Sequence, residues 1–269
     1  MGHLVLALFT SIMQCAVGIV VFAGLASYTS DTNVHQGLLL LGAIMATVGV
    51  SISLLHLGRP IMAMRTMMRV GTSWLSREIL FTSAFAGLSW LALILSYVWG
   101  PDYEWVKPLT YGAGLVGLVD VGAMAAIYMS SSVKAWHHSF VAIQFFATAL
   151  AVGAMTSLAW GDGLALSHSY RLFVILVGNL AALATVLSLL QHYRQMTDSQ
   201  QAVDRMSMEK IQALSPVVKA SIAIMLVGFV AGALHMYGIV SVLWMLGHIL
   251  VRFLMYSEEV APKIGVTTH

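Results

Sequence analysis

Six residues in this chain have the types and placement that could do chemistry: His56, Glu78, Arg69, Arg77, Arg252 and Tyr256. His56 and Glu78 stand 22 positions apart, near the ends of "LHLGRPIMAMRTMMRVGTSWLSREIL" (residues 55–80). That stretch gathers four Arg into a chain in which only 9% of residues are charged. An imidazole accepts a hydroxyl proton near neutral pH, and a half-buried carboxylate can hand it on to water. Oxidising a quinol means removing two protons and two electrons, and such a pair is suited to taking the protons. Arg69, Arg77 and Arg252 would orient the carboxylate or steady negative charge developing on the quinol oxygen. The same residue types also serve as interfacial anchors, with His and Tyr at the headgroup level and Arg snorkelling to water. Taken singly, each fits that plainer role as well.

The elements that must position these residues are membrane helices. The mean hydropathy is +0.87 and 59% of residues are hydrophobic, whereas soluble domains carry about 25% charged residues. A spanning helix needs roughly 20 apolar residues, and windows of that length fall near 4–28, 35–57, 79–99, 107–130, 139–160, 168–191, 217–236 and 238–256. Lipid gives backbone groups no partner, so spanning segments must be helices or closed barrels. Barrel strands would be about ten residues long and alternate in polarity, unlike these continuous runs. The expectation is an all-α bundle of eight transmembrane helices forming a single polytopic domain over 1–269, without a soluble appendage. The first run is too long and poorly flanked for a cleaved signal peptide.

Eight spans put both termini on one face. That face would hold His56 at the end of the second helix, Glu78 at the start of the third, and Arg252 and Tyr256 at the end of the eighth. Consecutive helices are usually neighbours, so His56 and Glu78 can share one depth, where ionisable groups suggest function. The same face carries Arg59, Arg65, Arg69, Arg77, Lys134, Arg194, Arg205, Lys210, Lys219, Arg252 and Lys263, against only Lys107 and Arg171 opposite. By the positive-inside rule it is cytoplasmic. Orientation accounts for most of these charges, but not for four Arg in one loop interleaved with Met62, Met64, Met67 and Met68. A partner surface or a lid over a cavity fits that mixture; ordinary packing explains the Met residues equally well. Cys15 is the sole cysteine, so a redox metal would belong to another chain. The chain has no basic tail to suggest nucleic acid.

"HLGRP" (56–60) followed by "RVGTSWLSREI" (69–79), together with the closing "GHILVRFLMY" (247–256), resembles the membrane anchor subunit of the dimethyl sulfoxide reductase family (DmsC-like). "QC" at Gln14–Cys15 matches weakly. The resemblance covers the whole chain, and its specific part is residues 56–79. It implies an anchor in a bacterial or archaeal plasma membrane that holds an iron–sulfur subunit and a molybdopterin catalytic subunit and oxidises menaquinol without haem. It also implies His56 and Glu78 as the quinol-site residues, with Arg252 and Tyr256 in matching places. A related complex running toward quinone reduction is the variant of this reading.

The chain departs from the family pattern at three points. His248 stands where a carboxylate is expected, Asp120 lies mid-helix in the fourth span, and the basic bias lies on the quinol-site face. A carboxylate at the bilayer centre costs several kcal/mol unless protonated, paired or hydrated, so Asp120 is expected to be satisfied structurally. Haem would need axial ligands at matching depth, and His56, His235 and His248 offer no level pair. Asp120 with Asn179 could serve a proton-coupled transporter, an unrelated class whose repeats and broken helices are not visible in the sequence. Gly228 and Gly232 form a GxxxG pair suited to close helix packing.

Overall fold

The structure, a computed structural model, describes residues 2–29, 32–57, 70–130, 136, 138–162, 166–200 and 215–256. Eight helices follow in order: α1 (Gly2–Thr29), α2 (Thr32–Leu57), α3 (Trp74–Val98), α4 (Val106–Met129), α5 (Ser139–Gly161), α6 (His168–Gln200), α7 (Ser215–Ala233) and α8 (Tyr237–Tyr256). All are long and apolar enough to cross a membrane, as the all-α, eight-span reading requires. The sixth extends to Gln200, beyond the apolar window that ends near 191.

The helices form two four-membered rings. In the first, α1 packs on α2, α2 on α3, α3 on α4, and α4 returns to α1; α5 to α8 repeat that circuit. The rings join mainly through α1 against α5 and α8, and through α4 against α5. In lipid, helices gain little from hydrophobicity when they associate, so small residues that permit close approach select the central pairs. At the crossing of α1 and α5, a Cβ on Gly18 would strike the Ala149 carbonyl, and one on Gly153 would strike the Gly18 backbone. This contact makes α1 and α5 the most enclosed spans, with 67% and 72% of their windows buried.

The connections fix the start of α3 and the turn before α8. Ser73 caps α3, its hydroxyl accepting from the Ser76 N–H at 3.4 Å. Between α7 and α8 the chain reverses through His235 at φ 59, a left-handed conformation uncommon outside glycine. The His235 Nδ1 and Tyr237 hydroxyl lie 2.8 Å apart across that turn, so this histidine belongs to the turn.

Candidate quinone-binding site

Glu78 opens the site. It lies in the first turns of α3, 8% exposed, one helical turn before Thr82. The Thr82 hydroxyl lies 3.0 and 2.9 Å from the two carboxylate oxygens of Asp120, so Asp120, fully buried on α4, receives a hydrogen bond. Glu78 is within electrostatic reach of Asp120 and also of Tyr128 and Tyr256. Two carboxyl groups therefore share the α3–α4 seam.

Aromatic side chains carry the site from the first ring into the second. Tyr128, near the end of α4, lies against Tyr256 of α8 with ring centroids 5.0 Å apart. Trp136 meets Tyr128 edge-on at 5.3 Å and donates its indole N–H to the Met255 carbonyl at 3.0 Å. Tyr256 donates to the Thr10 hydroxyl of α1 at 3.3 Å. Arg252, one turn earlier on α8, is 1% exposed. Its guanidinium donates to Gln14 Oε1 at 3.1 Å and Thr148 Oγ1 at 3.5 Å, and rests 3.6 Å above the Phe145 ring.

The hydrogen bonding around Arg252 is incomplete. Its Nε and the Nε2 of its partner Gln14 are buried without a hydrogen-bond partner, as are the Ser11 hydroxyl on α1 and both polar atoms of the Gln144 carboxamide on α5. Buried polar groups are nearly always paired, and a cluster of exceptions marks a place for water or a ligand. Guanidinium and amide N–H donors beside a hydroxyl suit a carbonyl or hydroxyl oxygen, which is what a quinone or quinol presents. On the outer side of α3 and α4, an apolar groove closed by Phe146 of α5 runs past Trp74, Phe81, Leu115, Leu118 and Val119, a shape that suits a hydrocarbon tail.

Of the residues singled out from the sequence, the structure brings Arg252 and Tyr256 together beside Tyr128 and buries Glu78 at the start of α3. Arg77 points elsewhere. Its donors reach the Val70 and Gly71 carbonyls at 2.9 Å each, and its guanidinium lies over Trp74 at 4.3 Å, so it ties the preceding segment to the start of α3. His56 lies in the last turn of α2, but its side chain is outside the described residues, as is Arg69. His248 has protein partners on both ring nitrogens: Nδ1 donates to the Trp244 carbonyl at 2.7 Å, and Nε2 lies 3.2 Å from the Thr185 hydroxyl. Sequence reasoning missed Tyr128, Gln144 and Thr148 entirely. Gln14 entered only as half of a weak dipeptide match, with no hint that it meets Arg252.

The described residues thus form an eight-helix membrane bundle with buried polar side chains where its two rings meet, Arg252 of α8 reaching Gln14 of α1 and Thr148 of α5. The profile of the DMSO reductase anchor subunit (DmsC) matches residues 1–258, and the chain belongs to that family. It is 30% identical over 162 residues to anaerobic dimethyl sulfoxide reductase chain YnfH of Escherichia coli, covering 57% of this chain and 56% of the relative. It is 28% identical over 171 residues to an anaerobic dimethyl sulfoxide reductase chain of Haemophilus influenzae, 58% of each protein. A sulfite dehydrogenase subunit of Allochromatium vinosum matches at 27% over 137 residues, 45% of this chain and 41% of the relative. The chain thus matches less than two thirds of the length of these curated relatives. No solved structure matches it.

Proposed function

We propose that this chain is the membrane anchor and quinol-oxidising subunit of a molybdopterin/iron–sulfur oxidoreductase complex in a bacterial or archaeal plasma membrane. It would pass electrons from menaquinol to a partner iron–sulfur subunit. The observation that carries the reading is the buried Arg252, held by Gln14 and Thr148 beside the stacked Tyr256 and Tyr128 and flanked by unpartnered polar atoms, with a second buried ionisable group, Glu78, at the start of α3. The quinol supplies the electrons and protons. His56 bonds a quinol oxygen and takes its proton; Glu78 relays that proton or holds the other imidazole nitrogen. Arg252, with Gln14 and Thr148, places fixed positive charge at the far end of the cluster, where negative charge on a quinol oxygen is favoured. Arg69 orients the carboxylate or steadies negative charge developing on the quinol, Arg77 steadies the segment that precedes α3, and the remaining Arg and Met residues of 59–68 dock the partner. The tail lies in the apolar groove of α3 and α4.

Copurification and turnover test this reading together. Isolation in mild detergent should bring down an iron–sulfur protein and a molybdopterin protein. In that complex His56→Ala should abolish quinol-dependent turnover and leave dye-dependent reduction of the terminal substrate intact. Recovery of a lone chain that moves a solute would overturn the assignment, and equal loss of both activities would make His56 structural. The sulfite dehydrogenase relative supports a second direction, in which a partner oxidises its substrate and this chain delivers the electrons to quinone. The sign of the quinone redox change with each candidate substrate separates the two.

A further inference from the structure

The groove on the outer side of α3 and α4 has a volume of about 480 Å³, within the range of about 300–1,000 Å³ that ligand sites occupy. The helices that wall it are long and apolar enough to cross the membrane. Leu115 and Val119 on its rim are 64% and 51% exposed, so it opens sideways to lipid. Along α4 its lining runs from Leu115 to Ala123, about 12 Å at 1.5 Å per residue. That length holds the first units of a prenyl chain.

Spacing ties the groove to Glu78. On α3, Glu78 follows Trp74 by four residues and precedes Phe81 by three, and residues so spaced share one helix face. Trp74 and Phe81 line the groove, so the carboxyl stands between two of its wall residues along the helix. On α5, the closing Phe146 is next in the chain to Phe145, the ring beneath Arg252. Gly122 belongs to the lining without a side chain of its own. A Cβ there would meet only Phe146, at 3.6 Å, whereas one on Gly18 or Gly153 would strike backbone. Packing does not require glycine at 122; the open groove does.

We propose that this groove is the lateral entrance for a prenylated quinol and that Gly122 is a specificity-determining residue, its missing side chain leaving room for the tail. The proposal rests on the quinol reading and adds which quinols the site accepts: those with a prenyl tail in preference to tail-less ones. Lipid is as apolar as the groove, so the tail gains little from hydrophobicity. Its gain is contact with Trp74, Phe81 and Val119, which fixes its direction and delivers the head toward the face of α3 that carries Glu78.

The test uses the intact purified complex and a quinone analogue with a photoactivatable diazirine on its first prenyl unit, labelled residues being read by peptide mass spectrometry. Label should fall on α3, α4 and α5 around Phe81, Val119 and Phe146. Excess prenylated quinone should remove it, and phosphatidylethanolamine should not. Gly122→Leu should cut labelling about ten-fold, the discrimination that a changed apolar wall gives. Val119→Phe, at a lipid-exposed position that leaves helix packing alone, should cut it in the same direction and carries the test if Gly122→Leu does not accumulate. In turnover, Gly122→Leu should raise KM for the prenylated quinol about ten-fold and leave KM for a tail-less quinol and dye-dependent activity unchanged. Equal displacement by phospholipid, label confined to other helices, unchanged labelling in both variants, or equal loss with tailed and tail-less quinols would each overturn the proposal while the quinol reading stands. No turnover with either quinol, beside normal dye-dependent turnover, would overturn that reading and the proposal with it.

Discussion

Glu78 and Asp120 are carboxyl groups within one electrostatic neighbourhood, and their partners separate their roles. The Thr82 hydroxyl bonds Asp120, as a structural carboxyl at membrane depth requires. Thr82→Val keeps the shape and removes the donor, so it should lower stability by about 1–3 kcal/mol, read as a fall in Tm of the purified complex. Asp120→Asn retains an acceptor for Thr82 and should preserve turnover; selective loss of proton-coupled turnover would instead give Asp120 a transport role. Glu78→Gln keeps the shape and removes the ionisable carboxyl. It should slow quinol oxidation while the complex assembles and reacts with dye at the wild-type rate. Unchanged quinol kinetics at every pH would eliminate the relay. Glu78 was legible in the sequence as the one carboxylate in the charged stretch 56–79. Arg252 and Tyr256 were legible as polar residues closing an otherwise apolar run. Gln14 was not, since its partnership with Arg252 joins residues 238 positions apart and no local pattern encodes it. Tyr128 was hidden in an ordinary apolar run ending a helix.

At the scale of helices, hydropathy announced every span but could not rank them by burial. The windows of α1 and α6 share a hydropathy of 2.4, yet 67% of one and 39% of the other is buried. Lipid is as apolar as a leucine core, so the same composition serves both environments. What separates them is the shape of the contact, and Gly18 against Gly153 supplies it. Gly153→Leu should force α1 and α5 apart and prevent accumulation of folded protein, measured as loss of a monodisperse species after extraction. Gly122→Ala is the control. Its added Cβ meets only Phe146, at an ordinary 3.6 Å, and should be tolerated. The GxxxG pair was legible as packing and serves that purpose: a Cβ on Gly228 would strike the Trp244 indole, and one on Gly232 would reach Val240 at 3.7 Å. The two-ring arrangement was not legible, because the repeat lies in helix neighbours, which no local residue pattern encodes.

At the scale of the whole molecule, the distribution of charge bears on which way the bundle faces. Arg252 belongs to the interior and drops out of the orienting charges, leaving ten basic residues on the quinol-site face against Lys107 and Arg171 opposite. The rule counts Lys and Arg in short loops near helix ends, and the remaining asymmetry is still strong. On the proposed function electrons would cross only a short gap from a quinol to a partner's cluster, so the partner would dock on the face of Glu78 and Arg252. Those premises together predict a cytoplasmic partner that needs no export signal. The Arg-rich stretch 59–77 offers the competing explanation, because docking charges gathered there would imitate an orientation signal without being one. Arg194, Arg205, Lys210 and Lys263 lie outside that stretch and favour orientation. A reporter enzyme active only outside the membrane, fused after Lys263, should therefore stay silent, while the same reporter inserted between Gly100 and Asp102 should be active. The reverse pattern would place the partner outside and make the basic loop a docking surface that overrides the charge rule.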